Sequence, residues 1–145
     1  MGKFTEGAER SGRIVVGVDG SEASVSALRQ GIRMANALNT SVEAVTAWRF
    51  STALATVGEL GYTPEDDAKA IMSGAIKSGI GATVPPWFTG KIIEGNADQV
   101  LISESTGTEM LVVGSRGHGG LSGLLLGSVS ALCAERAHCP VLIIH

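Results

Sequence analysis

At 145 residues, 44% hydrophobic and 17% charged, the chain is sized for one domain with its own core, and wholesale disorder is excluded. Lys and Arg number 11 against 14 Asp and Glu, a formal charge of −3 that offers no basic field to a nucleic-acid backbone. Mean hydropathy is +0.26, yet no apolar run approaches the ~18 residues of a membrane span, so neither nucleic acid nor membrane is expected as a partner.

Met1 to Ser11 is polar with mixed charges and lacks the apolar stretch of a signal peptide, so residues 1–12 read as a disordered tail and 13–145 as a single domain. Ile14-Val15-Val16-Gly17-Val18 is an unbroken, β-branched run, the pattern of a strand buried on both faces of a parallel sheet. Ser21 then caps a helix with Glu22 in its first turn and Val25, Leu28, Ile32 and Ala35 at helical spacing, ending at Asn39-Thr40. A second strand is predicted from Val42 to Trp48, and β-α-β implies a right-handed crossover between parallel strands. Phe50 to Tyr62 has no period and reads as a long loop. Thr63-Pro64-Glu65-Asp66-Asp67 is a helix start, with Ile71, Met72, Ala75 and Ile76 as the buried stripe and Gly79 as the stop.

The third strand includes Lys91-Ile92-Ile93, and Pro85-Pro86 just upstream place it at a sheet edge. Asn96 caps a third helix that reaches about Ser105, with Asp98 and Gln99 in its first turn. Met110 to Gly114 is a fourth buried strand, Ser128 opens a fourth helix to about Ala137, and Pro140 to Ile144 closes the chain as a second edge strand. Strands alternating with helices mean an open, three-layer α/β domain of five parallel strands with helices on both faces, Rossmann-like in plan. Cys133 and Cys139 are too few for a secreted scaffold and suit a reducing cytoplasm. With His138 and His145 they match no zinc spacing.

Glycine is the compositional outlier, 20 of 145 residues, and six fall between Gly114 and Gly127. That stretch leaves a buried strand and enters a helix. Side-chain-free residues let main-chain N–H groups approach a ligand, and the helix start adds unpaired N–H groups and partial positive charge, together an anion seat suited to phosphate. The alternative is a connection whose glycines only relieve crowding. No lysine lies in the loop, which excludes a P-loop, and Ser122 stands where a dinucleotide fingerprint needs its third glycine.

Gly114, Gly117, Gly127 and Ser128 do fit G-x2-G-x9-G-[ST]. On that motif, on Ile14 to Ser21 and on Cys139 to Ile144, the chain resembles the nucleotide-binding branch of the universal stress protein family from Arg13 to His145, least so from Phe50 to Ala82. The resemblance implies a parallel sheet of order 3-2-1-4-5, a homodimer, and bound ATP. The order agrees with the edge positions that the prolines require, and it puts Asp19 and the glycine loop at one crevice, where the winding reverses.

By the same resemblance, the amides of Gly114, Gly117, Gly127, Ser128 and Val129 surround the triphosphate. The Ser128 hydroxyl donates to a phosphate, serves as the N-cap, or does both. Ser130 is a further phosphate contact or only a first-turn polar residue. Asp19 accepts from the ribose, stands near a bound Mg²⁺, or is only a turn residue. Gly17 and Val18 line the base pocket, and Ala47 offers main-chain groups to adenine. Arg116 pairs with the γ-phosphate or is a solvated loop cation. His118 reads as a proton shuttle or an exposed loop residue, and Trp48 as a cover for the base or a half-buried strand end.

One carboxylate and no lysine at the site give little machinery for phosphoryl transfer. The expectation is therefore a cytoplasmic, ATP-binding regulatory protein of the stress response, with an unknown regulatory partner and little or no turnover. The alternatives are a weak ATPase, or a partner-binding scaffold whose crevice holds cyclic AMP or nothing. Adenylating relatives carry Ser-Gly-Gly-x-Asp-Ser after strand one, whereas this turn reads Val18-Asp19-Gly20-Ser21. The apolar edge Val141 to Ile144 invites pairing with a second copy across a two-fold axis.

Overall fold

The computed structural model describes residues 10–50, 63–117 and 126–145. Its elements run β1 Arg13–Gly17, α1 Glu22–Leu38, β2 Ser41–Trp48, α2 Pro64–Gly79, β3 Phe88–Glu94, α3 Ala97–Glu104, β4 Met110–Gly114, α4 Ser128–Arg136 and β5 Val141–Ile144. All strand pairs are parallel and the order is β3-β2-β1-β4-β5, as predicted.

Because successive strand residues face opposite sides, each central strand feeds two cores. Ile14 and Val16 of β1, with Val112 of β4, pack under α1 and α2 beside Leu28, Met72 and Ala75. Val15, Leu111 and Val113 pack on the opposite side with Val100, Leu101 and Cys133 of α3 and α4. Burying Ile14, Leu28 or Leu111 contributes roughly 1.5–3 kcal/mol each. The first two crossovers put their helices on one face and the last two on the other, so winding reverses between β1 and β4.

Local signals act largely as read. Ser21 accepts from the Ser24 amide as N-cap of α1, and Asn39 ends that helix in the left-handed region at φ 57°. Thr63 and Asp66 form a reciprocal capping box that spans Pro64 in the first turn of α2. Three expectations need correction and one needs refinement. α2 does end at Gly79, as expected, but the positive-φ turn that a stopping glycine would supply is taken by Gly81 at φ +107°. Asn96 occupies the N-cap position of α3 without capping it, because its Oδ1 accepts from Arg49 Nη1 at 2.6 Å. Ser128 is the first helical residue of α4, and Gly127 is its N-cap. Pro140 precedes β5, with its carbonyl accepting from the Leu111 amide.

Residues 10–12, assigned above to a tail, belong to the domain. The Arg10 guanidinium lies 4.0 Å from the Trp87 ring centroid and donates to the carbonyls of Ala35 and Thr40. The rest of that tail, the loop from 51 to 62 and residues 118–125 lie outside the described residues.

At the amino ends of the strands, Glu43 pairs with Arg13 and with Lys91 Nζ at 2.6 Å. Arg13 also donates to the carbonyls of Glu104 and Thr106, satisfying the end of α3. Burial pushes the Glu43 carboxyl up, but hydrogen bonds from Lys91 and Arg13 outweigh it and hold the carboxyl below its ordinary value.

Candidate functional site

At the carboxyl ends of β1 and β4 lies a cavity of about 300 Å³. Nine of the predicted residues line it: Gly17, Asp19, Gly114, Arg116, Gly117, Gly127, Ser128, Val129 and Ser130. They come from two stretches of chain nearly a hundred positions apart, joined because β1 and β4 are neighbours.

Asp19 sits in a local turn. Its Oδ1 accepts from the Ser21 amide at 2.9 Å and the Ser21 hydroxyl at 2.5 Å, so the carboxylate direction is set before α1 begins. Ser21 closes the arrangement by accepting from the Ser24 amide, and the Ser24 hydroxyl donates to the Ser21 carbonyl. Across the crevice, Gly117 approaches so closely that a Cβ there would strike Asp19 Oδ2. Gly114 is equally constrained, since a Cβ would lie 2.8 Å from the Ala23 carbonyl carbon. Main chain from two elements thus meets where a side chain would not fit.

The start of α4 supplies donors. The Ala131 amide makes the first intrahelical bond, to the Gly127 carbonyl, so those of Ser128, Val129 and Ser130 belong to the turn that has no partner within the helix. The dipole of the helix adds partial positive charge at the same end. The Gly127 amide, expected among the ligand donors, is instead committed to the Ser115 carbonyl at 2.7 Å. Ser130 is buried, 3% exposed, and its hydroxyl donates to the carbonyls of Ser115 and Gly127 at 3.0 Å each. Its proton is therefore turned toward the protein.

Two predicted base-pocket residues fall outside the cavity lining. Val18 points its side chain into the core under α1 and α2, and its amide donates to the Val45 carbonyl. Ala47 packs its methyl toward the α3 and α4 layer. Its main chain is better placed than its side chain. The Val45 carbonyl faces β1 and the Trp48 carbonyl faces β3, so alternation turns the Ala47 N–H and C=O to the β1 side, beyond the last β1 pair at Gly17 and Val45. Trp48 is the half-buried end of β2.

Ser24, Ala97, Leu101 and Val113 also line the cavity and were missed. Ala97 and Leu101 reach it because α3 packs over the end of β1, where a Cβ on Gly17 would lie 2.8 Å from Leu101 Cδ1. An apolar helix stripe carries no local sign of that neighbour. The His and Cys residues near the carboxyl terminus do different work. Burial, with Asp98 and Cys139 nearby, pushes the Cys133 thiol up to about 11, and burial also raises Cys139. The His138 amide donates to Ser105 Oγ. Among the described residues, no three His, Cys, Asp or Glu side chains are grouped to hold a metal ion. Among them, too, no helix is long and apolar enough to cross a membrane.

Residues 11–145 match the model of the universal stress protein family. The chain is 33% identical over 141 residues to universal stress protein Rv2623 of Mycobacterium tuberculosis, an alignment covering 91% of this chain and 47% of that one. It is 32% identical over 139 residues to universal stress protein Rv2005c of the same organism, with the same coverages. The chain thus spans about half the length of the curated relatives it matches. Among solved structures, a universal stress protein in complex with cAMP superimposes with a TM-score of 0.69 at 26% identity, over 94% of this chain and 98% of that one. UspA of Lactobacillus plantarum superimposes equally well, TM-score 0.69 at 18% identity, over 94% and 99%, which speaks to the fold alone. The chain belongs to the universal stress protein family.

Proposed function

We propose that this universal stress protein domain binds an adenine nucleotide, ATP in the first instance, in the crevice between β1 and β4. One observation carries the reading: Asp19, Gly114, Gly117, Ser128 and Val129 gather around a single cavity at the point where the winding of the sheet reverses. In this reading the phosphates lie on the Ser128 and Val129 amides and accept from the Ser128 hydroxyl. The ribose lies against Asp19, and the base between Gly17 and the main chain of Ala47. Asp19 suits Mg²⁺, which takes one or two carboxylates plus phosphate oxygens and keeps its waters. Bound there, the ion would neutralise phosphate charge.

Among the described lining residues, the charged side chains are Asp19 and Arg116. Arg116 is exposed and can reach a terminal phosphate. A described lining with one carboxylate and one arginine as its charged side chains favours a nucleotide-responsive regulator over an enzyme. It acts as a homodimer through Val141–Ile144 on a regulatory partner whose identity is open. Isothermal titration with ATP tests the reading: saturable binding at one site per chain supports it, and no binding of ATP, AMP or cyclic AMP removes it. Turnover above the protein-free rate that vanishes in Asp19→Ala would instead favour a weak ATPase.

A second reading, cyclic AMP as the resident ligand, is favoured by the 26% identical structure that holds it. Mass spectrometry of ligand released from protein purified gently from cells separates the two.

A further inference from the structure

We propose that Ser130 is a positioning residue that staples the two ends of the glycine loop together and thereby aims the first turn of α4 into the crevice. The inference rests on the nucleotide reading of that crevice. The Ser115 peptide is the fixed point. Its N–H donates to the Ile144 carbonyl at 2.7 Å, which ties it to β5, and its carbonyl accepts from the Gly127 amide at 2.7 Å. Ser130 Oγ is the second donor to that carbonyl, at 3.0 Å, and stands equally far from the Gly127 carbonyl.

One hydroxyl on the third residue of α4 therefore touches both the residue where the chain leaves β4 and the residue where it enters the helix. Ser115 and Ser130 are both buried, 7% and 3% exposed, so water competes poorly for these bonds. Each carbonyl already accepts one main-chain N–H, that of Ser115 from Gly127 at 2.7 Å and that of Gly127 from Ala131 at 3.0 Å, so the Ser130 proton is shared between two acceptors with equal main-chain complements and bridges them.

The consequence is a division of labour inside one helical turn. Ser128 and Val129 present donors to the cavity, while Ser130 turns its donor inward and holds their direction constant. Closing a loop costs conformational entropy whether or not a ligand is present. A staple that meets this cost beforehand leaves less for the nucleotide to offset, and only the phosphate end benefits, because the base and ribose lie toward β1 and β2.

Ser130→Ala removes the staple, and Ser130→Thr keeps the hydroxyl. Two measurements separate positioning from direct ligand contact. In nucleotide-free protein, hydrogen exchange at the Gly127 amide is expected to rise about tenfold in Ser130→Ala and to stay near wild type in Ser130→Thr. Affinity for ATP is expected to fall about tenfold in Ser130→Ala, with adenosine affinity within about twofold and Ser130→Thr restoring ATP binding. Unchanged Gly127 exchange overturns the staple even if ATP binding weakens, because that pattern belongs to a direct phosphate ligand. Equal losses for ATP and adenosine overturn it as well. Wild-type protein that binds no adenine nucleotide overturns the nucleotide reading, and the aligning role with it, whatever the exchange shows.

Discussion

The amino ends of β1 and β2 carry Arg13 and Glu43, which pair with each other, with Lys91 and with the end of α3. The carboxyl ends of β1 and β4 carry Gly17, Asp19, Gly114 and Gly117, a border of main chain with one carboxylate in it. Both ends hold polar groups in half-buried surroundings. At one end side chains satisfy side chains, and the chemistry is internally closed. At the other, a helix start and glycine-lined main chain leave donors aimed at a cavity. The proposed nucleotide crevice and the ion-pair network thus lie at opposite ends of the same strands, so substitutions are expected to separate binding from stability.

The largest effect should come where the binding end is also packed. Gly114→Ala puts a Cβ 2.8 Å from the Ala23 main chain, which cannot rotate away, and is expected to cost about 3 kcal/mol and shift α1 off β4. Urea denaturation measures it, and a loss below about 1 kcal/mol would mean the crevice is less tightly built than the contact implies. Next, Glu43→Ala takes the carboxylate partner from Arg13 and leaves Lys91 its longer contact with Glu104 Oε1, at 3.8 Å, and should cost about 2 kcal/mol with nucleotide affinity unchanged. A change in affinity would show that the two ends are coupled.

The same carboxylate carries a pH signature. Its folded-state value lies below the ordinary one, so its contribution is present above the ordinary carboxylate range of the unfolded chain and is lost as pH falls through the depressed folded value. Stability measured from pH 7 down to pH 3 should therefore fall less steeply in Glu43→Gln than in wild type.

Asp19→Ala is the converse of Glu43→Ala. It should weaken ATP binding at least tenfold while lowering stability by about 1 kcal/mol, the share of the Ser21 turn. Equal titration curves for the variant and wild type would remove Asp19 from the site. The smallest effect concerns the thiols. Cys133 is fully buried with its thiol pushed up to about 11, so iodoacetamide at pH 8 should label Cys139 first and Cys133 only on unfolding. Peptide mass spectrometry reads the order.

Much of this was legible in the chain itself. Unbroken β-branched runs marked Ile14 to Val16 and Leu111 to Val113 as strands buried twice, Ser21 and Thr63 marked helix starts, and prolines marked the edges. The glycine cluster after β4 pointed to the crevice before any neighbour was known. The errors fell where two distant segments compete for one group. Asn96 has the residue type of a cap, yet Arg49, just past the end of β2, takes its oxygen. Gly127 has the freedom of a ligand-facing loop residue, yet Ser115 takes its amide. Ala97 and Leu101 gave no local sign that α3 closes one wall of the cavity.

By itself the sequence determined the alternation of elements, the buried stripes of α1 and α2 and the location of the conformationally permissive stretch, because these depend on periodicity, branching and allowed φ, all local properties of the chain. Only the tertiary structure decided that Asp19 and Gly117 meet, that Ser130 faces inward while Ser128 does not, and that Arg13, Glu43 and Lys91 form one network. Those outcomes depend on which strands become neighbours and which donor wins a shared acceptor, and that competition is settled in three dimensions between groups far apart in the chain.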